Sequence, residues 1–254
     1  YEEQGTGALR FEADGTPIIQ GQEELRFALS IPTDREMPES GWPVVLYGHG
    51  TGGNYKSFIR SRVAATLAQV GLAVLSIDQI HHGPRDPRPD GCSMRANPDA
   101  CVALLFFNFV VPTAGRDNVR QSAIDLVSLL RMAQNFDLEV PVPDEDEAMA
   151  EPDPVEMADA GQPQDQDAGL PSADDAMDAG IAEEPAPEPA NTDAGVPPEA
   201  DATVPMEPAP VAMRRLRLDP ERVMYMGHSQ GGLNGPLFLA IEPSLRGGVL
   251  SAAG

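Results

Sequence analysis

The feature that most constrains how this chain can fold is the pentapeptide at 227–231, Gly-His-Ser-Gln-Gly, which lies between two apolar runs. The run before it has a strand pattern and the run after it is typical of a helix. A serine in such a turn needs Gly227 and Gly231, because a Cβ at either position would collide with neighbouring backbone. Gly232 gives the helix further room to pack. The spacing predicts a sharp turn that presents the Ser229 hydroxyl at a sheet edge; the alternative is a purely structural glycine-rich turn.

Apolar runs alternate with helical periodicities along the chain, which is typical of a parallel α/β sheet. Strands are predicted at 44–47, 72–77, 221–226 and 248–252, and helices at 57–70, 118–134 and from the pentapeptide to about 241. Right-handed crossovers place the loops that follow such strands at one edge of the sheet. The predicted fold class is therefore α/β, with a mostly parallel sheet and helices on both faces. The chemistry is expected at that edge.

Two segments depart from this alternation. Residues 7–31 contain alternating runs at 8–12 and 25–31 on either side of an Asp-Gly turn, and these predict an N-terminal β-hairpin. Residues 79–115 include several proline and glycine residues and both cysteines, and they are predicted to be irregular.

An acidic tract separates two parts of the predicted core. Residues 143–213 hold 20 of the 40 acidic residues and 13 of the 26 prolines, with no lysine, arginine or aromatic residue. Such a composition cannot bury enough surface to offset chain entropy, so the tract is predicted to be a disordered insertion. An interaction tail or a solubilising spacer is the alternative. The predicted organisation is a hairpin region (1–40), a first core part (41–142), the insertion (143–213) and a second core part with the pentapeptide (214–254).

The charge of the chain excludes some classes of partner. The formal net charge is −23, although outside the acidic tract 20 acidic residues face 17 basic ones. Nucleic acid is not expected as a partner, because phosphate binding needs a basic patch. Docking on an anionic membrane surface is disfavoured for the same reason. No run of 18 apolar residues occurs, so no transmembrane segment is expected. The oligomeric state stays open.

The two cysteines, Cys92 and Cys101, stand in a polar segment rich in proline, aspartate and glycine. As a disulfide they would close a ten-residue loop and contribute about 2–3 kcal/mol. Free thiols are the alternative. The disulfide is the favoured interpretation, because both residues are expected in a polar loop and not in an apolar core. It predicts an oxidising location, which is extracellular, periplasmic or at the cell surface.

A glycine-rich loop at 48–53, Gly-His-Gly-Thr-Gly-Gly, directly follows the predicted strand at 44–47. Its glycines allow the backbone to approach a substrate closely. The N–H groups of Gly50 and Thr51 are candidate donors to the oxyanion that forms when a serine attacks a carbonyl. The N–H of Gln230, at the start of the last helix, is a further candidate donor. A plain turn between strand and helix is the alternative for this loop.

Together these pieces resemble the α/β-hydrolase superfamily, and more narrowly the secreted bacterial lipases and esterases of the extracellular lipase type. The matching pieces stand at 41–50, 76–83, 116–121 and 227–231. They span about 41–135 and 214–254. The resemblance implies Ser229 as nucleophile, an oxyanion hole from the backbone of Gln230 and of the loop at 49–52, and small-molecule or lipid esters as substrates. It implies no metal ion and no cofactor.

The chain departs from the superfamily in the residues that follow its serine. In that superfamily the catalytic serine is followed along the chain by an acid and then by a histidine. After Ser229 the chain has no histidine and no aspartate, and Glu242 is the only acidic residue. The four histidines all precede Ser229: they are His49, His81, His82 and His228. The first three are candidates to line the pocket, with a structural or lid role as the alternative. His228 is expected to point away from the serine.

The expected function is that of a serine carboxylic-ester hydrolase, a lipase or esterase that acts through an acyl-enzyme on Ser229. The chain is expected to be the N-terminal portion of that enzyme, with the histidine and the carboxylate of the triad beyond residue 254. By itself it is expected to be nearly inactive. The alternative is a degenerate, non-catalytic surface or carrier module with an acidic spacer. Peptidases and thioesterases of the same architecture, and the acyl chain length, stay open.

Overall fold

The computed structural model describes residues 9–85, 98–142 and 212–253, without the side chains at 98–101. In this part of the chain six strands form one mixed sheet. In chain order they are β1 (Phe27–Ser30), β2 (Trp42–Gly48), β3 (Ala73–Ile77), β4 (Asp137–Pro141), β5 (Met213–His228) and β6 (Gly248–Ser251). Across the sheet the order is β1-β3-β2-β5, and both β4 and β6 pair with β5. The strands β3, β2, β5 and β6 are parallel, whereas β1 and β4 are antiparallel to their neighbours. The predicted α/β class is confirmed.

Helices cover both faces of this sheet. The described helices are α1 (Ser57–Arg60), α2 (Val63–Gln69), α3 (Pro98–Phe107), α4 (Pro112–Gln134) and α5 (Gln230–Ile241). Every residue of β2 and β3 is buried, as expected of strands that are covered on both sides. On one face α4 and α5 pack against Leu46 and Leu75. On the other face Phe58 of α1 packs against Tyr47 and Val74.

The helices differ from the sequence prediction in three places. The helix predicted over 57–70 is divided, because Arg62 adopts a left-handed conformation (φ 62°) between α1 and α2. The fourth helix begins at Pro112 and not at 118, since the missing N–H of proline is no loss at the first helical position. The prediction of irregular structure over 79–115 was wrong for α3. That helix buries Phe106 completely, and apolar burial favours regular backbone hydrogen bonding there.

The predicted N-terminal hairpin is wrong in its pairing. Phe11 and Pro17 form one isolated bridge around the Asp-Gly turn, but β1 pairs antiparallel with β3 instead of with the run at 8–12. In the observed register Leu29 lies opposite Leu75, which is fully buried. Phe11, in contrast, is 47% exposed. Pairing with β3 therefore removes more apolar surface from water than a local hairpin would.

An antiparallel ladder between β4 and the first part of β5 joins the two core parts. The ladder continues past its last pair to Val142, whose N–H donates to the carbonyl oxygen of Ala212 at 2.7 Å. The predicted disordered insertion at 143–213 is too long at its end, because Ala212 bonds to Val142 and Met213 begins β5, paired with Pro141. Residues 143–211 lie outside the described residues, so their disorder stays a prediction.

Two further expectations concern the cysteines and the membrane. Cys92 falls in the undescribed range 86–97, and the side chain of Cys101 in α3 is also outside the described part, so the disulfide stays a prediction. Among the described residues, no helix has the length and apolar character needed to cross a bilayer.

Candidate active site

Ser229 lies in the sharp turn between β5 and α5. Its backbone angles, φ 51° and ψ −114°, belong to a region that a residue with a side chain adopts only under strain. Its N–H donates to the carbonyl oxygen of Ser251 in β6 at 2.9 Å, and its own carbonyl oxygen accepts the N–H of Leu233 at 3.0 Å. Both backbone groups of Ser229 are thus held by neighbouring elements. This arrangement stabilises the strained turn and leaves the serine side chain partly exposed.

The glycines around the serine have no room for a side chain. A Cβ on Gly227 would stand 2.4 Å from the carbonyl oxygen of Gly231, and a Cβ on Gly231 would stand 2.1 Å from the carbonyl oxygen of Gly48. A Cβ on Gly232 would stand 2.9 Å from the carbonyl oxygen of Ser251. Each contact is with backbone, which cannot move aside as a flexible side chain can. The close approach of β2, β5 and α5 at this edge therefore requires glycine.

The glycine-rich loop at 48–53 lies directly against the serine. The parallel neighbours β2 and β5 end side by side, so the loop and the turn leave the sheet at the same edge. A Cβ built on Gly50 would stand 3.3 Å from the Cβ of Ser229 and 3.3 Å from Cδ2 of His228. A side chain at position 50 would therefore crowd Ser229 and His228, and glycine lets the loop pass beside the serine.

The first turn of α5 offers a backbone donor beside Ser229. Helix N-termini carry N–H groups with no partner inside the helix, together with a positive partial charge. The N–H of Gly231 donates to the carbonyl oxygen of His49 at 3.1 Å, whereas that of Gln230 has no hydrogen-bond partner among the described residues. Gln230 thus places an N–H next to the serine with no acceptor in the described chain.

A side-chain hydrogen bond connects the loop to the turn. The Thr51 hydroxyl donates to Oε1 of Gln230 at 3.0 Å, and the Gln230 side chain is fully buried. The structure therefore brings the predicted oxyanion residues Gly50, Thr51 and Gln230 together with Ser229. It also couples the loop to the residue that follows the serine.

His49 is a buried support of this loop. Its Nε2 accepts the N–H of Gln79 at 3.1 Å, so its proton is on Nδ1, which donates to the carbonyl oxygen of Gly50 at 2.8 Å. Burial, and then the charge that His82 would carry, lower the pKa of His49 to about 3. The ring is therefore neutral at ordinary pH. Because both ring nitrogens are engaged in this way, His49 is not placed to accept the proton of Ser229.

His82, in the segment that follows β3, supports the same loop. Its Nε2 accepts the N–H of Gly52 at 3.1 Å, and its Nδ1 donates to the carbonyl oxygen of Ile80 at 2.9 Å. The rings of His49 and His82 meet edge to face with centroids 4.8 Å apart. His81, which adopts a left-handed conformation (φ 66°), is also buried. The three candidate pocket residues thus have at most 6% of their surface exposed.

Two carboxylates near the site, Glu242 after α5 and Asp78 after β3, have structural partners. Glu242 accepts two hydrogen bonds from Nη2 of Arg131 in α4, at 2.7 and 3.0 Å. It follows the last residue of the 12-residue α5, about 20 Å along the helix from Ser229. Asp78, which follows β3, pairs with Arg26 and accepts the N–H of Tyr55. The described residues contain no group of three or more His, Cys, Asp or Glu side chains that could hold a metal ion.

Three buried polar residues of the site were missed by the sequence interpretation. Gln79 donates through Nε2 to the carbonyl oxygen of His49, and Asn234 donates to Oε1 of Gln79 at 2.7 Å. The Tyr225 hydroxyl donates to the carbonyl oxygen of Gly231 at 2.7 Å. A polar residue directly after a buried strand, or within an apolar helix, was the available signal for Gln79 and Asn234. Nothing local distinguishes Tyr225 from an ordinary strand tyrosine.

The chain has limited similarity to known proteins. No protein-family model matches the chain, and no curated protein matches it. Among solved structures, it is similar to Est1E from Butyrivibrio proteoclasticus with bound ferulic acid, at 13% identity and a TM-score of 0.39. It is also similar to a candidate dienelactone hydrolase from Klebsiella pneumoniae, at 14% identity and a TM-score of 0.38. The matches cover 97% and 90% of this chain, and 53% and 60% of those proteins.

Proposed function

We propose that Ser229 is the nucleophile of a serine hydrolase that acts on carboxylic esters through an acyl-enzyme. The observation that carries this proposal is the strained turn at Ser229, held between β5 and α5 with the loop of Gly50 against its side chain. A structural turn has no need to combine a strained serine, a Gln230 N–H without an acceptor among the described residues, and a glycine-rich loop beside the serine. A nucleophile beside an oxyanion hole needs all three.

The proposed reaction has two steps. The Ser229 oxygen attacks the ester carbonyl carbon while a histidine takes its proton, and the carbonyl oxygen becomes an oxyanion that accepts the N–H groups of Gln230 and of Gly50 or Thr51. Collapse of this intermediate breaks the carbon–oxygen bond, and the leaving alcohol receives the proton from the histidinium. Water then attacks the acyl-enzyme by the same route and releases the acid and free Ser229.

The proposal requires a base that His49 and His82 do not supply, because their ring nitrogens hold the loop. The base of the proposed reaction is therefore a histidine other than His49 and His82. Small-molecule or lipid esters are the proposed substrates, and an extracellular, periplasmic or cell-surface location remains part of the proposal.

The test is labelling and turnover in the intact protein. A fluorophosphonate probe should attach to Ser229, and p-nitrophenyl acetate should be hydrolysed at a rate that Ser229→Ala abolishes. Ser251→Ala is the matched control, since Ser251 contributes only its backbone oxygen to the turn. Labelling at another serine, or turnover that survives Ser229→Ala, would refute the proposal. Ser229-dependent activity that is lost in a folded His81→Ala or His228→Ala variant would identify that histidine as the base.

A further inference from the structure

Two successive peptide groups of the glycine-rich loop have their carbonyl oxygens fixed. The oxygen of His49 accepts the N–H of Gly231 at 3.1 Å and also Nε2 of Gln79. The oxygen of Gly50 accepts the N–H of Gly53 at 3.0 Å and Nδ1 of His49 at 2.8 Å. Each carbonyl thus has two donors from inside the protein, and neither peptide can rotate without losing both.

The orientation of these carbonyls decides where the N–H groups point. In a planar trans peptide the C=O and the N–H of the next residue point in opposite directions. The N–H of Gly50 is therefore directed away from Gly231 and Gln79, and the N–H of Thr51 is directed away from Gly53. Gly50 is the loop residue beside Ser229, since a Cβ at this position would stand 3.3 Å from the Cβ of Ser229. The fixed carbonyls thus keep the loop donors in one orientation beside the serine.

Gln79 is the side chain that controls the first of these peptides. Its backbone N–H donates to Nε2 of His49 at 3.1 Å, and its side-chain Nε2 donates to the carbonyl oxygen of the same residue. Its Oε1 accepts Nδ2 of Asn234 at 2.7 Å. Because Asn234 presents a donor, the Gln79 amide must direct its oxygen to Asn234 and its NH2 group to His49. Asn234 is 1% exposed and Gln79 is 8% exposed, so water cannot readily replace either partner.

We propose that Gln79, oriented by Asn234, is a positioning residue for the oxyanion hole. The inference rests on the proposed function, since it assigns a role in the same reaction. Gln79 does not touch the substrate. It holds the peptide between His49 and Gly50, and so fixes the direction of the Gly50 N–H that the proposed function assigns to the oxyanion. Such preorganisation acts mainly in the transition state.

The first test is Gln79→Met in the intact protein, with Gln121→Met as matched control. Gln121 lies in α4 and donates to Asp125, so its replacement removes a side-chain amide without affecting the loop. With p-nitrophenyl acetate we expect kcat to fall by about tenfold to 100-fold in Gln79→Met, and KM to stay within about twofold. Gln121→Met should match the unmodified protein. Unchanged kcat in a folded Gln79→Met would overturn the inference.

Infrared spectroscopy of the acyl-enzyme distinguishes a misplaced oxyanion donor from a smaller amount of folded protein. Donors to the acyl carbonyl oxygen polarise its C=O bond and lower the stretching frequency. We expect infrared difference spectra of the acyl-enzyme, with a 13C-labelled carbonyl, to show a higher frequency in Gln79→Met than in the unmodified protein. Partial unfolding reduces the amount of acyl-enzyme but leaves its frequency unchanged. An identical frequency in the two proteins would contradict the inference.

A second variant, Gln79→Glu, covers the case in which Gln79→Met does not fold. When the introduced carboxyl group is protonated, it can donate its O–H to the carbonyl oxygen of His49 and accept from Asn234. When that group is ionised, it places a negative charge against the same carbonyl oxygen. The ratio of the variant's kcat to that of the unmodified protein, measured at the same pH, should therefore rise as pH falls. A ratio independent of pH would contradict the inference.

These outcomes also separate the inference from the proposed function. If Ser229→Ala hydrolyses p-nitrophenyl acetate as fast as the unmodified protein, the proposed function fails. If the activity depends on Ser229 but both Gln79 variants behave like the Gln121 control, only the inference fails.

Discussion

The Tyr225 hydroxyl donates to the carbonyl oxygen of Gly231 at 2.7 Å and so joins β5 to the first turn of α5. Tyr225 is 1% exposed and its ring packs edge to face on Phe238. Burial raises the pKa of Tyr225 above its usual value of 10.0, so the hydroxyl stays protonated and remains a donor. This bond positions the peptide between Gly231 and Gly232, in the first turn of α5.

Tyr225→Phe should therefore destabilise the protein while its ring packing is retained. The substitution leaves the buried carbonyl oxygen of Gly231 without this donor, and we expect the free energy of unfolding to fall by about 1–2 kcal/mol. Urea unfolding measures the change. Tyr55→Phe is the control, because no hydrogen bond of the Tyr55 hydroxyl occurs among the described residues, and it should change stability little. Equal stability in both variants would show that the Tyr225 bond contributes nothing.

Gly231→Ala should disrupt the turn. The new Cβ would stand 2.1 Å from the carbonyl oxygen of Gly48, so β2 and α5 must separate. Overpacking of this kind typically costs about 1–3 kcal/mol, and here it also displaces the loop beside Ser229. We expect a lower Tm and much slower fluorophosphonate labelling.

The matched control for that prediction is Gly21→Ala. A Cβ at Gly21 would have no atom within 4 Å, so this variant should keep the Tm and the labelling rate of the unmodified protein. Normal labelling in a folded Gly231→Ala variant would mean that the turn tolerates a side chain, contrary to the packing described.

His49 should make the protein less stable at acid pH. Its pKa is lowered from 6.5 to about 3 by burial and by the neighbouring His82, whereas in the unfolded chain the ring keeps its usual value. Between these values the unfolded state binds the proton first, so the stabilisation is complete above pH 6.5 and is lost as pH falls towards 3. The contribution of this one ring is at most about 1.4 kcal/mol per pH unit.

Urea unfolding between pH 4 and pH 7 measures that slope. His49→Gln should flatten it, because the group that titrates is removed. His228→Gln should keep it, since His228 is exposed and does not support the loop. A slope that is unchanged in His49→Gln would assign the acid sensitivity to other groups.

The acidic tract should be dispensable for folding. Val142 and Ala212 are already hydrogen-bonded across the ladder, so 143–211 can be replaced by Asn-Gly, which favours a two-residue hairpin turn. We expect an equal or slightly higher Tm, since a shorter loop costs less entropy to close, and unchanged labelling of Ser229. Loss of folding, both with Asn-Gly and with a longer Gly/Ser bridge, would mean that the tract packs on the core.

Cys92 and Cys101 should be linked in protein made in an oxidising compartment. Peptide mapping without reductant should show one joined pair, and mapping after reduction should show two alkylated cysteines. Two alkylatable thiols in the native, unreduced protein would contradict the disulfide and remove the main support for the proposed location.

Local patterns were sufficient for the parts of the fold that depend on neighbouring residues. The buried runs of β2 and β3, the strand before Ser229 and the helix after it were all predicted, because periodicity and glycine spacing act over a few residues. The helices on both faces followed from the alternation of strands and helices. The predicted hairpin failed because β1 had a better partner in β3, and that competition is not visible in the local pattern.

The buried hydrogen bonds that support the site could not be predicted from local sequence patterns, because they join residues far apart in the chain. His49 and Gln79 are 30 residues apart, and Gln79 and Asn234 are 155 apart, yet they share one buried hydrogen-bond chain. Sequence patterns made His49 a candidate pocket residue and passed over Gln79 and Asn234. A polar side chain takes its role from the donors and acceptors that folding places around it, and here the meeting of β2, β3 and α5 at one sheet edge sets those partners.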